Sequence, residues 1–174
     1  MGQASAYQHH LYSNDLDGYL QLARIEGEER QFKSEYLINS FNLDDEKGQP
    51  DRFITPNSFY LPQRLSSNIR HYRALYTDLD IHNLGYGKAE TVYSVILLAE
   101  RGNIPRPTMI IDSGRGLHVY WRINHAPAGA FLTWQALQDH FYKQLKHLGA
   151  DAQATDSARI LRLPGTINSK NGET

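Results

Sequence analysis

The stretch from Thr108 to Ile123 constrains this chain more than any other. Two runs rich in β-branched and aromatic residues, Thr108-Met109-Ile110-Ile111-Asp112 and Leu117-His118-Val119-Tyr120-Trp121-Arg122-Ile123, are separated only by Ser113-Gly114-Arg115-Gly116. Such runs suit pleated strands, and a short glycine-bearing link between them is hairpin chemistry. An isolated hairpin is barely stable in water, so the rest of the chain must supply further strands or helices to cover it.

The remaining segments read as a mixture of both. Ala89 to Arg101 carries Val92, Val95, Ile96 and Ala99 at helical spacing, with Gly102 as a stop signal. Ala128 to Leu148 reads as a long helix ended by Gly149. Ala74 to Ile81 alternates apolar and polar residues along its second half, as a half-buried strand does. Gly18 to Ile25 reads as a strand, Lys33 to Phe41 and Ser66 to Arg73 as short helices, and Arg159 to Leu163 as a short strand. Phe53 to Tyr60 is extended, but Pro56 confines it to an edge or a loop. Irregularly mixed helices and strands around a hairpin predict an α+β fold rather than a doubly wound sheet. At 174 residues, one domain is expected, with residues 1–52 as an N-terminal part and 53–174 carrying the motifs below. The acidic link Asp44 to Pro50 is a turn-rich connector within it.

Composition removes several chemistries. With no cysteine, disulfides, thiolate zinc sites and cysteine nucleophiles are out, and a reducing cytoplasm fits. The longest apolar run, Val95 to Ala99, is far short of a membrane span, and the first residues lack a signal-peptide pattern. The net charge of −1 argues against a strong overall grip on nucleic acid. Its distribution is uneven: residues 1–50 hold nine acids and four bases, residues 101–150 two acids and six bases. A basic face is therefore possible without a basic total.

Three segments could carry chemistry. Asp78-Leu79-Asp80 lies at the end of an apolar strand, where residues two apart share a face. Two carboxylates side by side repel unless a cation sits between them, and magnesium or manganese suits oxygen ligands. The plain alternative is a strand end dipping into solvent. In Ser113-Gly114-Arg115-Gly116-Leu117-His118, two glycines let backbone N–H groups approach an anion, with Ser113, Arg115 and His118 as further donors. That reads as a triphosphate cradle, or as a plain hairpin turn with a surface arginine. It is not a P-loop, because no Gly-Lys-Ser/Thr follows. Finally, Asp156-Ser157-Ala158-Arg159-Ile160-Leu161-Arg162-Leu163-Pro164-Gly165-Thr166-Ile167-Asn168-Ser169-Lys170 offers a third acid and then cations for phosphates or a nucleic-acid backbone. Asp156 could instead cap a turn, and Asp151 is its rival as the third acid.

Taken in order, these motifs resemble those of the archaeo-eukaryotic primase superfamily, specifically the primase-polymerase domains of plasmid and mobile-element replication proteins. Phe53 to Phe59, Arg64 and Asn68 are similar to the family as well, so the likeness runs from about Phe53 to Lys170. It implies an RRM-like antiparallel or mixed sheet carrying the acids, joined to an N-terminal α/β unit. It further implies template-directed nucleotidyl transfer, as a DNA primase or polymerase, on single-stranded DNA with dNTP or NTP substrates. Asp78, Asp80 and Asp156 would hold two magnesium or manganese ions. Ser113, Gly114, Arg115, Gly116, His118 and Arg162 would bind the nucleotide, and Arg159, Asn168 and Lys170 the nucleic acid. Relatives often continue past the third motif with a last strand and a helical domain, so the chain could be a trimmed core, and a helicase could accompany it. Two other classes use part of this pattern. A nucleotide-sugar-dependent glycosyltransferase uses Asp-X-Asp but leaves the glycine-histidine and Arg-Leu-Pro-Gly segments idle. A non-catalytic RRM-like nucleic-acid-binding module gains nothing from the acids.

Overall fold

The computed structural model describes residues 2–12, 17–82 and 84–173. The fold is α+β and its strands form two antiparallel sheets. The first sheet runs in the order β2-β1-β3-β8, made from β1 (Leu20–Glu26), β2 (Gln31–Leu37), β3 (Arg52–Ile54) and β8 (Leu161–Arg162). The second runs β4-β5-β7-β6, from β4 (Ser58–Phe59), β5 (Ile69–Asp80), β6 (Met109–Asp112) and β7 (Gly116–Pro127). Helix α2 (Lys88–Glu100) connects β5 to β6, and α3 (Phe131–Leu145) follows β7. Helix α1 (Gln3–Tyr12) opens the described chain; no element was expected there.

The β6–β7 hairpin forms where the sequence places it, with Asp112 opposite Leu117. Its long partner β5 pairs with β7 from His71 to Asp80. At the far end, Gly116 stands opposite Asp80, and a Cβ there would come within 2.0 Å of the Leu79 carbonyl oxygen. Only glycine allows the two backbones to close at that point. The two faces of this sheet have different tasks. Trp121 packs its ring 4.3 Å from that of Phe141 on α3. On the opposite face, Tyr120 meets Tyr7 of α1, with centroids 5.5 Å apart. Burying side chains such as Tyr7, Leu11 and Tyr12 of α1 contributes roughly 1.5–3 kcal/mol each.

From β5 to α3 the order is strand, helix, strand, strand, helix, the arrangement of a split βαβ unit. The place for a fourth strand beside β5 is shared. Strand β4 pairs with the start of β5, and residues 149–151 with its end, through Asp80 N–H to Gly149 C=O and Asp151 N–H to Asp78 C=O, both 2.9 Å. Between them side chains complete the ladder. Asn57 Oδ1 accepts from Arg73 N–H at 2.9 Å, and Trp134 Nε1 donates to Ala74 C=O at 2.9 Å. Gln138 accepts from Tyr76 N–H at 3.3 Å and donates to Tyr76 C=O at 2.5 Å. Buried backbone groups need partners, and here Asn57 and α3 provide them.

Several expected elements differ. Lys33 to Phe41 is not a helix: residues 31–37 form β2, paired with β1 in continuous register from Leu20–Leu37 to Glu26–Gln31. The segment is mostly exposed, so no apolar stripe sets its period, and the tight turn with positive φ at Gly27 and Arg30 decides in favour of a hairpin. Ser66 to Arg73 is a short 3-10 turn, Ser66–Asn68, and then β5, because β4 and β7 take up its backbone hydrogen bonds. Phe53 to Tyr60 divides into β3 and β4, one in each sheet, with Pro56 in the bend between them. The strand at 159–163 is reduced to Leu161–Arg162, and the helix at 128–148 to α3 with a 3-10 turn at each end.

Candidate active site

The end of β5 and the start of β7 leave one face of the second sheet uncovered, and a cleft of about 290 Å³ opens there toward the first sheet. Tyr76, Asp78 and Asp80 alternate with the other face of β5, so the two acids continue the face that α1 covers lower down. Opposite them on β7 stand Tyr120, His118 and Gly116. Across the cleft lie Phe53 of β3, Arg162 of β8, and Arg30 in the turn between β1 and β2.

Of the residues singled out in the sequence, Asp78, Asp80, Ser113, Arg115, Gly116, His118, Arg159, Arg162, Asn168 and Lys170 all line this cleft. Gly114 does not. Its left-handed φ of 92° shapes the turn behind the lining, where its N–H donates to Asp112 Oδ1 at 2.8 Å. Asp156 does not line the cleft either. Its Oδ1 accepts the Ala158 N–H at 3.1 Å and its Oδ2 lies 3.9 Å from Arg159, so the carboxylate closes a local turn. The rival acid, Asp151, does line the cleft, because its N–H bonds to the Asp78 carbonyl at 2.9 Å. Asp151 thus lines the cleft with Asp78 and Asp80, while Asp156 stands 3.9 Å from Arg159, a cleft residue. The sequence motif favours Asp156, and the pairing of residues 149–151 with β5 brings Asp151 to the cleft.

Electrostatically the cleft is mixed. Asp78, Asp80 and Asp151 face Arg30, Arg115, Arg159, Arg162 and Lys170. His118 is buried, and its Nε2 lies 3.7 Å from Asp78 Oδ1. Burial pushes its pKa below the ordinary imidazole value; Asp78 opposes the shift, while Arg162 and Arg159 add to it. His118 is therefore a neutral ring at pH 7. Its Nδ1 is buried without a hydrogen-bond partner among the described residues, so we assign the proton to Nε2, which faces the Asp78 carboxylate at 3.7 Å.

The cations are held by their neighbours. Arg162 Nη1 donates to Asp51 Oδ1 at 3.1 Å and to Ile167 C=O at 3.0 Å, and its guanidinium lies 4.8 Å over the Phe53 ring. Arg159 reaches Gln153 C=O at 3.2 Å and Asp151 at 3.7 Å. Asn168 Nδ2 donates to Ser113 C=O at 3.2 Å, tying the C-terminal turn to the glycine turn. Lys88 bridges Asp112, at 2.9 Å, and Glu173, at 2.6 Å, behind that turn. Arg30 and Asp51 were not singled out in the sequence, where neither sits in a motif; the fold alone brings Arg30 to the cleft and sets Asp51 behind it, against Arg162.

The donor chemistry of the three acids suits hard divalent cations. Among the described residues, no three His, Asp or Glu side chains converge closely enough to hold an ion as they stand. Asp80 turns to His82 Nδ1, and Asp151 Oδ1 accepts from Gln153 N–H at 2.8 Å. The side chains of Asp80 and Asp151 are 53% and 35% exposed, so rotation toward a common point meets little packing.

A replication protein of Clostridium perfringens is 44% identical to this chain over 119 residues, 68% of this chain and 29% of that protein. The matched stretch therefore spans less than a third of that relative. No protein-family model and no solved structure matches the chain.

Proposed function

We propose that this domain is a replication enzyme that adds nucleotides to a primer strand on single-stranded DNA. One observation carries the reading: Asp78, Asp80 and Asp151 line the same cleft as the glycine turn, His118, Arg162 and Lys170. Carboxylates opposite anion-binding groups are what a nucleoside triphosphate with its cations requires. The likeness to a replication protein and the ordered resemblance to primase-polymerase motifs point the same way.

Asp78, Asp80 and Asp151 would hold magnesium or manganese, which when bound stabilises charge on the transferred phosphate and lowers the pKa of the attacking hydroxyl. The chain's own groups do the rest. Ser113, Arg115 and the Gly116 backbone present donors to the β- and γ-phosphates. The His118 Nε2–H, held neutral by burial, gives a hydrogen bond to a phosphate oxygen without adding a charge. Arg162, braced on Phe53, supplies the fixed cation that the triphosphate meets. Lys170 and Arg159 lie at the cleft surface, where they reach the backbone of template or primer.

Incorporation of labelled dNTP or NTP on a primed single-stranded template tests this. Product that requires template and divalent metal, and is lost in Asp78→Ala, is expected. Turnover of a nucleotide sugar, or template binding with no nucleotide consumed, would overturn the reading.

A further inference from the structure

We infer that Asp51 is a positioning residue that aims Arg162 and Arg30 into the cleft, and so sets the affinity for the triphosphate; this rests on the nucleotide-binding reading above. Asp51 lies outside every motif, yet its surroundings are unusual. It is 3% exposed, and it holds a left-handed φ of 48°, which a residue with a Cβ seldom adopts without compensation.

The compensation is a set of charged contacts that join four parts of the chain. Oδ1 accepts from Arg162 Nη1 at 3.1 Å and from Ser169 N–H at 3.2 Å. Oδ2 accepts from the Ser169 hydroxyl and lies 3.5 Å from Arg30 Nη2. The main chain of Asp51 is also fixed: its N–H donates to Ile167 C=O at 2.8 Å, and its carbonyl accepts from Ile25 N–H at 3.2 Å. Arg30 further donates to Ser169 Oγ at 3.2 Å. One buried carboxylate thus binds the β1–β2 turn, β8 and the C-terminal turn together, and both of its arginines line the cleft.

A guanidinium with five donors and one fixed carboxylate still has donors to offer an anion. Without the carboxylate, two arginines side by side would repel each other and scatter, and each would have to be ordered again when the phosphate arrived. Asp51 is placed to remove that ordering cost while touching no substrate itself. The alternative, a staple that only stabilises the fold, makes a different prediction.

Asp51→Asn separates the two. Asparagine keeps the shape and tolerates left-handed φ at least as well as aspartate, so the backbone is not penalised, while the charge is lost. The full chain is titrated with a non-hydrolysable deoxynucleoside triphosphate in magnesium, and steady-state incorporation is measured alongside thermal melting. Loss of one charge-assisted anchor predicts roughly a tenfold weaker Kd and a KM raised in proportion, with kcat within about threefold, alongside a lower melting temperature from the unpaired arginines. Ser169→Ala, which removes the hydroxyl held by Asp51 and Arg30, should weaken binding about threefold and provides a second readout if Asp51→Asn does not fold. Wild-type Kd in a folded variant, whether or not its melting temperature falls, would overturn the inference. If wild-type protein itself binds no nucleotide, the nucleotide-binding reading fails and this inference with it.

Discussion

Asp78 and His118 face each other directly across β5 and β7, with the carboxylate oxygen 3.7 Å from the imidazole Nε2. The pair marks the point where the sheet stops being a core and becomes a site. One register step earlier, Tyr76 and Tyr120 are fully buried on the same face. One step later, Asp80 is exposed opposite Gly116.

Burial of His118 makes stability depend on pH. Its folded pKa lies below the ordinary value near 6.5, chiefly through desolvation. The unfolded chain therefore takes up a proton in a range where the folded chain does not. The contribution is complete above about pH 6.5 and is lost progressively as pH falls toward the folded value. His118→Asn should flatten the acid side of the melting profile, seen as a melting-temperature difference from wild type that narrows below about pH 6.5. Parallel profiles would show that His118 titrates as a solvated ring.

The side-chain ladder along β5 predicts an unusual sensitivity on α3. Gln138 is the only hydrogen-bond partner, among the described residues, on the open edge of Tyr76. Gln138→Leu keeps an apolar side chain of similar size but orphans a buried N–H and a buried C=O. At ~1–3 kcal/mol for each unsatisfied group, urea unfolding should show a loss of about 3 kcal/mol. Trp134→Phe orphans only the Ala74 carbonyl, but it also empties part of the space the indole fills against Tyr72, so a cavity cost is added. Equal stability of Gln138→Leu and wild type would mean that water reaches this edge.

The two candidate third acids are separable by activity. Asp151 lines the cleft beside Asp78, whereas Asp156 closes a turn through Ala158 and Arg159. In the incorporation assay, Asp151→Asn should lower kcat by about 10²–10³-fold, the scale of losing a fixed charge-stabilising group at a reaction centre. Asp156→Asn keeps an oxygen for the Ala158 N–H and should stay within about tenfold of wild type. The reverse order of effects would return the third-acid role to Asp156.

The parts legible in the sequence are those whose pattern is local. The hairpin of β6 and β7 follows from two β-rich runs around a glycine turn, and α2 from apolar residues at helical spacing. The shared face of Asp78 and Asp80 follows from the two-residue period of a strand. Each is dictated by neighbours a few residues away, and each is found in the fold.

Other features were decided only when distant segments met. Residues 31–37 and 69–73 have no strong apolar period of their own, so their strand state is imposed by hydrogen-bond partners in β1, β4 and β7. The motif marks Asp156 rather than Asp151 as the third acid; the bridge from Ala150 to Leu79 brings Asp151 to the cleft, and Asp156 closes a turn beside Arg159. Asp51 carries no local signal, because its importance lies in partners from Arg30 to Ser169, far apart along the chain. Local propensity is a short-range property of the chain. The convergence of charges in a cleft is set by which backbones pair, and that is a property of the whole fold.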